Sequence, residues 1–299
     1  MKTLLGGMPA EIAEGIRKLG KQFSMDLIRK TGAMYAGIQR NFDPEEIKVT
    51  RDIAYGDDER QRLDVHIRKK EPGPDHADVI MFVHGGGFVF GDRNTRRHIP
   101  DYFAAEGFVG VNVTHRLAPE HKWPSGGMDI GAAVAWVHKN ISEYGGNPHR
   151  IILMGESAGA FHTATYVFRP DVLGREFPEV AGAIMASGPF LVDERIANEN
   201  EASYYGDNPE LWHRVAFPGN FTRTHIPALF TVAEFDPLHI DQGMVLMLYE
   251  LIVKHGVVPR YRQLPGHNHI SGTLSIGTDD GMLAEEVLDF ISGLTRRDD

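Results

Sequence analysis

MGESAGA, residues 154–160, follows the apolar run IILM and opens a predicted helix. A strand, a G-x-S-x-G turn and a helix in this order are typical of a nucleophile elbow, which holds a serine on a strained turn. Gly155 and Gly159 remove side chains that would collide across such a turn. Because the pentapeptide alone also arises by chance, the role of Ser157 must be judged from the rest of the chain.

Apolar strands alternate with helices after Val83, and β-rich segments precede them. The alternation predicts a mostly parallel sheet with helices on both faces, and the β-rich start predicts an antiparallel edge. No repeat or linker divides the chain, so we expect one domain over 1–299. The predicted strands are IKVTRDIAY, RLDVHI, VIMFV, FVGVNV, IILM, AGAIMA, ALFTV and VPRYRQL, and the predicted helices are 126–140, a segment from Ala158, 238–255 and 280–293.

Two segments do not follow the alternation. Residues 1–45 show the spacing of an amphipathic helix, and residues 188–225 insert polar, partly helical sequence between two strands. We expect both to form a small helical lid, and the alternative is a solvent-exposed packing layer. The helical spacing in the first segment is that of Ile12, Ile16, Leu19, Phe23 and Leu27.

Composition excludes several classes of protein. The chain has 299 residues, of which 42% are hydrophobic, and a net charge of −10 without a basic cluster. This balance disfavours nucleic-acid binding, and no apolar run approaches the length of a membrane span. The absence of cysteine excludes thiolate metal sites and a cysteine nucleophile. Because the first residues lack a sustained apolar region, we expect a cytoplasmic protein.

A glycine triplet directly follows the predicted strand VIMFV, in HGGGF at 84–88. Alone it would be a flexible turn, but together with Ser157 it provides backbone N–H groups that a developing oxyanion needs. We predict the amides of Gly86, Gly87 and Ala158 as the oxyanion-hole donors.

The order of the motifs resembles the α/β-hydrolase family, in its branch of esterases and lipases similar to hormone-sensitive lipase. The resemblance covers roughly residues 45–295 and implies an eight-stranded sheet, hydrolysis of small-molecule esters, no metal or cofactor, and a possible homodimer. YGDDERQRLDVHI at 55–67 also resembles arylformamidases and feruloyl-esterase-like members. The motifs are HGGGF, HRLAPEHKWP at 115–124, GESAG at 155–159 and DPL at 236–238.

In this fold the acid and the histidine of the triad follow the serine along the chain. The resemblance implies Asp236 as the acid, after the strand ALFTV, with Glu234 and Asp241 as fallbacks. The loop LPGHNHISG offers His267 and His269. Relatives place the histidine three residues after the glycine of this loop, which selects His269. A metal site on the His-x-His pair lacks a recognisable third ligand.

Aromatic residues near the glycine loop and in the second lid segment are candidates for a substrate pocket, although they could instead form the core of the lid. We expect a serine carboxylesterase acting on small to medium-chain esters. An arylformamidase or amidase would use the same triad, and a non-catalytic receptor on this scaffold is a third alternative. The candidate pocket residues are Phe88, Phe90, Tyr204, Tyr205 and Trp212.

Overall fold

An eight-stranded sheet forms the centre of the computed structural model, which describes residues 7–40, 42–43, 45–69 and 76–295. The strands lie in the order β1-β2-β4-β3-β5-β6-β7-β8. β2 pairs antiparallel with β1 and β4, and the other neighbours are parallel. The predicted mostly parallel sheet with an antiparallel edge is confirmed. Its strands are β1 (Ile47–Ala54), β2 (Arg62–Arg68), β3 (Ala77–Val83), β4 (Val109–Thr114), β5 (Gly146–Glu156), β6 (Gly182–Ala186), β7 (Ala228–Phe235) and β8 (Arg260–Asn268).

Helices cover both faces of the sheet. Val79, Met81 and Val83 of β3 share a core with helices α4, α5 and α7, whereas Ile80 and Phe82 pack with α3 and α9 on the opposite face. A strand buried on both faces has no polar position, which explains the continuous apolar sequence of β3. The helices are α1 (Ala10–Leu19), α2 (Met25–Ala36), α3 (His98–Ala105), α4 (Ser125–Asn140), α5 (Ala158–Phe168), α6 (Glu199–Tyr205), α7 (Leu238–Tyr249), α8 (Ser271–Leu274) and α9 (Met282–Thr295).

The parallel arrangement brings the predicted site residues to one edge of the sheet. The glycine loop follows β3, Ser157 follows β5, Asp236 follows β7 and His269 follows β8. Because β3, β5, β7 and β8 run in the same direction, their carboxyl ends meet at the same edge.

The two predicted lid segments are helical in part. Helices α1 and α2 lie in the first, and their Ile12, Ile16 and Leu27 pack against Ile270 and Leu274. Helix α6 and a 3₁₀ turn at Pro209–Arg214 lie in the second. Of the predicted ranges, residues 1–6, 41, 44, 70–75 and 296–299 lie outside the described residues. The single domain and the covering role of the two segments stay predictions.

Several elements differ from the sequence prediction. Strand β5 begins at Gly146, before IILM, because Gly146 already pairs with Ala77 of β3. Helix α3 was not predicted; its Ile99 and Phe103 fill the core beneath β3. The predicted helix 238–255 is α-helical only to Tyr249 and continues as a π-helical turn. Within the described ranges, no helix is both long and apolar enough to cross a membrane.

Candidate active site

Ser157 occupies a strained turn between β5 and α5. Its φ of 52° and ψ of −121° lie outside the regions that a serine ordinarily adopts. A Cβ at Gly155 would overlap the backbone of Gly159, and a Cβ at Gly159 would overlap the Val83 carbonyl. The Ser157 N–H donates to the Ala186 carbonyl at 2.8 Å, which ties the turn to β6. The sequence MGESAGA therefore folds as the strand–turn–helix unit expected from it.

Ser157, His269 and Asp236 form one hydrogen-bonded chain. Ser157 Oγ lies 2.9 Å from His269 Nε2, and His269 Nδ1 lies 2.6 Å from Asp236 Oδ1. The Asp236 side chain is completely buried, and that of His269 is 4% exposed. With its Nδ1 proton donated to Asp236, the imidazole presents the free lone pair of Nε2 to the serine hydroxyl. This arrangement can move a proton from the serine to the histidine.

The other oxygen of Asp236 is held by a residue that the sequence did not single out. Asp236 Oδ2 accepts hydrogen bonds from Ser187 Oγ at 2.7 Å and from the Ala233 N–H at 2.6 Å. Ser187 follows β6, between the strands that carry the serine and the acid, and has a φ of 49°. Its only sequence signal is its position directly after an apolar strand.

The alternative acids have other partners. Glu234 accepts a 2.7 Å hydrogen bond from the Gly266 N–H, and Asp241 forms a 3.1 Å ion pair with Lys21. His267 is completely buried, with its Nδ1 3.0 Å from Ser271 Oγ. Among the residues that the model describes, no group of three or more His, Cys, Asp or Glu side chains is placed to hold a metal ion.

The glycine loop presents amide groups beside Ser157. Gly86 and Gly87 have positive φ values of 122° and 55°. Within the described part of the chain, neither amide donates to a backbone or side-chain acceptor. Ala158 is the first residue of α5, a position whose N–H has no acceptor inside the helix. All three predicted oxyanion donors are therefore available to a ligand.

Buried histidines support the glycine loop. His84 Nδ1 donates to the Gly85 carbonyl at 2.6 Å, and its ring stacks on that of His115 with 4.2 Å between centroids. Burial holds the pKa of His84 well below its usual value, and the neighbouring His115 lowers it further. A neutral His84 can donate this hydrogen bond and brace the glycine loop.

Glu156, which precedes the predicted nucleophile, has its hydrogen-bond partners outside the Ser157–His269–Asp236 chain. Its carboxylate accepts hydrogen bonds from Arg96 Nε at 3.1 Å and from the Thr273 hydroxyl. Thr273 belongs to α8, which directly follows the His269 loop. Glu156 therefore connects the serine turn to the histidine loop.

The candidate pocket aromatics pack mainly against one another. Phe88 stacks on Tyr204 at 4.5 Å, and Tyr205 contacts Trp212 edge-on at 5.3 Å. All four are buried, while Phe90 is 42% exposed. These contacts favour the alternative of a lid core for the four buried rings, and their pocket role stays a prediction.

An aromatic residue of the N-terminal segment contacts His269. The ring of Phe23 meets the imidazole edge-on, with 5.0 Å between centroids. Phe23 is 43% exposed, so it lies at the mouth of the site rather than in the core. The sequence marked it only as one apolar position of a helix, and this assignment is wrong, because Phe23 lies in the break between α1 and α2.

Comparison with known proteins gives local sequence matches. Residues 63–167 match the BD-FAE family model. The chain is 38% identical to esterase LipC of Mycobacterium tuberculosis over 115 residues, which are 38% of this chain and 28% of LipC. It is 26% identical to esterase LipQ of the same organism over 261 residues, 81% of this chain and 62% of LipQ. The chain thus spans less than two thirds of either relative.

Solved structures match over nearly the whole chain. Esterase B from Lactobacillus rhamnosis superposes with a TM-score of 0.78 at 15% identity, covering 97% of this chain and 98% of that one. An esterase from Pyrobaculum calidifontis gives a TM-score of 0.68 at 21% identity, covering 93% and 97%. At these identities the likeness shows the fold. The fold is that of an α/β hydrolase, and the order of the motifs and the sequence matches are similar to those of esterases in the branch of hormone-sensitive lipase.

Proposed function

We propose that the protein is a serine carboxylesterase that hydrolyses small to medium-chain esters. The observation that carries the proposal is the chain of hydrogen bonds from Ser157 through His269 to Asp236, beside the free amides of Gly86 and Gly87. The esterase names of the relatives support the same reaction class.

In the proposed mechanism, Ser157 Oγ attacks the ester carbonyl carbon while its proton moves to His269 Nε2. Asp236 Oδ1 accepts a hydrogen bond from the Nδ1–H group throughout and stabilises the imidazolium. The carbon–oxygen bond of the ester then breaks, and Nε2 returns the proton to the leaving alcohol. Water repeats the attack on the acyl-enzyme, activated by the same histidine, and releases the carboxylic acid and Ser157.

The developing oxyanion would accept hydrogen bonds from the Gly86, Gly87 and Ala158 amides. Such donors are worth roughly 3 kcal/mol each in comparable sites, because they are already oriented when charge develops. The dipole of α5 adds partial positive charge at Ala158.

An apolar groove lined by Leu238 is the observation that favours substrates with a medium-chain acyl group. The groove has a volume of about 780 Å³ and is lined mainly by aliphatic side chains. Leu238, which lines the groove, follows Asp236 by two residues in the chain, and on this basis we propose the groove as the site of the acyl chain. The aliphatic side chains are Leu191, Ile196, Leu238, Val245 and Leu246.

The proposal is tested with p-nitrophenyl esters from acetate to palmitate, and with an N-formyl aryl amide in parallel. We expect the wild type to hydrolyse the short and medium esters, and Ser157→Ala to lose nearly all of the rate while remaining folded. Turnover of the formyl amide without ester turnover would instead assign an amidase. No turnover of any substrate by the folded wild type would contradict both assignments.

A further inference from the structure

Helix α2 is hydrogen-bonded to the turn that carries His269. Thr31 Oγ1 accepts a 2.9 Å hydrogen bond from Asn268 Nδ2. Asn268 Oδ1 in turn accepts from the N–H groups of Ile270 and Ser271 at 3.1 and 3.0 Å. The Asn268 side chain therefore closes the turn around His269, and Thr31 fixes the orientation of the Asn268 amide.

A second side chain of α2 reaches the same turn through a buried relay. The Tyr35 hydroxyl donates to Asp280 Oδ2 at 3.1 Å, and that oxygen lies 3.5 Å from His267 Nε2 without a hydrogen bond between the two atoms. The opposite nitrogen of His267 lies 3.0 Å from Ser271 Oγ. Tyr35, Asp280, His267 and Ser271 are each 0% exposed. The relay thus connects α2 to the residues on both sides of His269.

Burial limits the alternative arrangements of the polar groups in this network. A buried polar group without a partner is costly, so the groups of this network have few alternative arrangements. Within the described residues, Asp280 Oδ1 and His267 Nε2 have no hydrogen-bond partner, and the Tyr35 hydroxyl is the side-chain donor to the Asp280 carboxylate. Apolar contacts of α1 and α2 with Ile270 and Leu274 surround the network.

We propose that α2, through Thr31 and Tyr35, positions the His269 imidazole for proton exchange with Ser157. The proposal deepens the proposed function and rests on it. Neither side chain contacts Ser157, His269 or Asp236 by a hydrogen bond, so both are positioning residues. In this role the N-terminal segment is a fixed brace of the site, whether or not it also covers the site as a lid.

Kinetics of conservative variants test the brace. Tyr35→Phe and Thr31→Val remove one polar contact each and keep the side-chain volume, and Thr31→Ser restores the hydroxyl. Tyr166→Phe is the matched control, since Tyr166 is also buried and its hydroxyl donates to the Pro178 carbonyl, away from the site. Measurements are made with p-nitrophenyl butyrate below the melting transition of every variant.

We expect Tyr35→Phe and Thr31→Val to lower kcat about tenfold with KM changed less than about twofold, because a misplaced base affects the chemical step. Thr31→Ser and Tyr166→Phe should keep the wild-type kcat. Wild-type kcat in both Tyr35→Phe and Thr31→Val would overturn the proposal, as would an equal loss in Tyr166→Phe.

Proton NMR gives a readout that does not need turnover. The His269 Nδ1 proton shared with Asp236 should give a far-downfield resonance, assigned by its loss in His269→Gln. We expect this resonance to shift or broaden in Tyr35→Phe and to stay unchanged in Tyr166→Phe. If the wild type hydrolyses no ester, the proposed function fails while the NMR comparison still tests the brace. An unchanged resonance in Tyr35→Phe would contradict the brace itself.

Discussion

Ser187 Oγ donates a 2.7 Å hydrogen bond to Asp236 Oδ2, while Asp236 Oδ1 accepts from His269 Nδ1. One oxygen of the buried Asp236 carboxylate therefore bonds to Ser187, and the other bonds to His269, the predicted base. A carboxylate that is fully hydrogen-bonded cannot rotate without losing a partner, so Ser187 restricts the direction from which Asp236 meets the imidazole.

Removing the Ser187 hydroxyl should therefore lower kcat. We expect Ser187→Ala to reduce kcat on p-nitrophenyl butyrate about tenfold with little change in KM, since the Ser187 hydroxyl bonds to Asp236 and acts through it on the chemical step. Ser187→Gly is the informative partner, because glycine accepts the positive φ of 49° without strain and also lacks the hydroxyl. A wild-type kcat in Ser187→Gly would mean that backbone strain, and not the hydrogen bond, explains the alanine variant.

Chain-length preference should depend on the groove at Leu238. This side chain is 66% exposed and lines the groove, so Leu238→Asp should leave acetate hydrolysis unchanged and lower kcat/KM for the hexanoate about fivefold. Burial of each methylene is worth about 0.8 kcal/mol, which the charged side chain would oppose. Val258→Asp is the control, since Val258 is 73% exposed and lies outside this groove. Equal losses for acetate and hexanoate in Leu238→Asp would argue against an acyl groove.

The close approach at Gly159 predicts a large effect on stability. Gly159→Ala would press a methyl group against the carbonyls of Val83 and His84, and we expect the free energy of unfolding to fall by about 3 kcal/mol. Gly32→Ala, at a helical position of α2 with open space around it, should raise that free energy by about 1 kcal/mol. Urea titrations of both variants measure these changes. Similar values for the two substitutions would contradict the packing described for the elbow.

His98 predicts a loss of stability at acid pH. Burial lowers its pKa from 6.5 to about 4, although its hydrogen bond to the Thr273 carbonyl opposes this shift. Between these two values the unfolded chain binds a proton that the folded protein excludes, so stability decreases as the pH falls from about 6.5 to about 4. The protonation of His98 in the unfolded chain should lower the free energy of unfolding by about 2 kcal/mol between pH 7 and pH 5.

Urea titrations at pH 7 and pH 5 check this contribution against His98→Asn, which cannot titrate. The variant should lose less stability than the wild type over this interval. Its remaining loss is expected to come from other buried histidines, such as His84 and His162, whose pKa values are also lowered by burial. An identical pH dependence in wild type and variant would show that His98 does not contribute.

The sequence predicted the sheet well because its signals are local. A strand buried on both faces is apolar throughout, and the turns after β3 and β5 require glycines at fixed positions, so VIMFV-HGGG and IILM-GESAG reveal their own structure. The preceding strand and the resemblance predict Asp236 as the acid, and the structure brings it together with His269 and Ser157.

The supporting residues could not be found in this way. Ser187 acts on Asp236 only because β6 lies between β5 and β7, which is a property of strand order. The sequence does not distinguish three residues of the N-terminal segment, Thr31, Tyr35 and Phe23, from their neighbours. Their partners lie more than two hundred residues further along the chain. The packing of Phe88 against Tyr204 likewise joins distant segments.

The contact between Tyr35 and Asp280 spans 245 residues, and that between Thr31 and Asn268 spans 237. During translation, α2 leaves the ribosome long before the turn on which it is to dock. A nascent chain that has already formed the turn at Ser157 still lacks His269, and it also lacks Asn268 and Asp280, through which α2 orients His269. The proposed hydrolytic activity would therefore begin only after Asn268 and Asp280 have been synthesised, and translation products that end before them would be inactive.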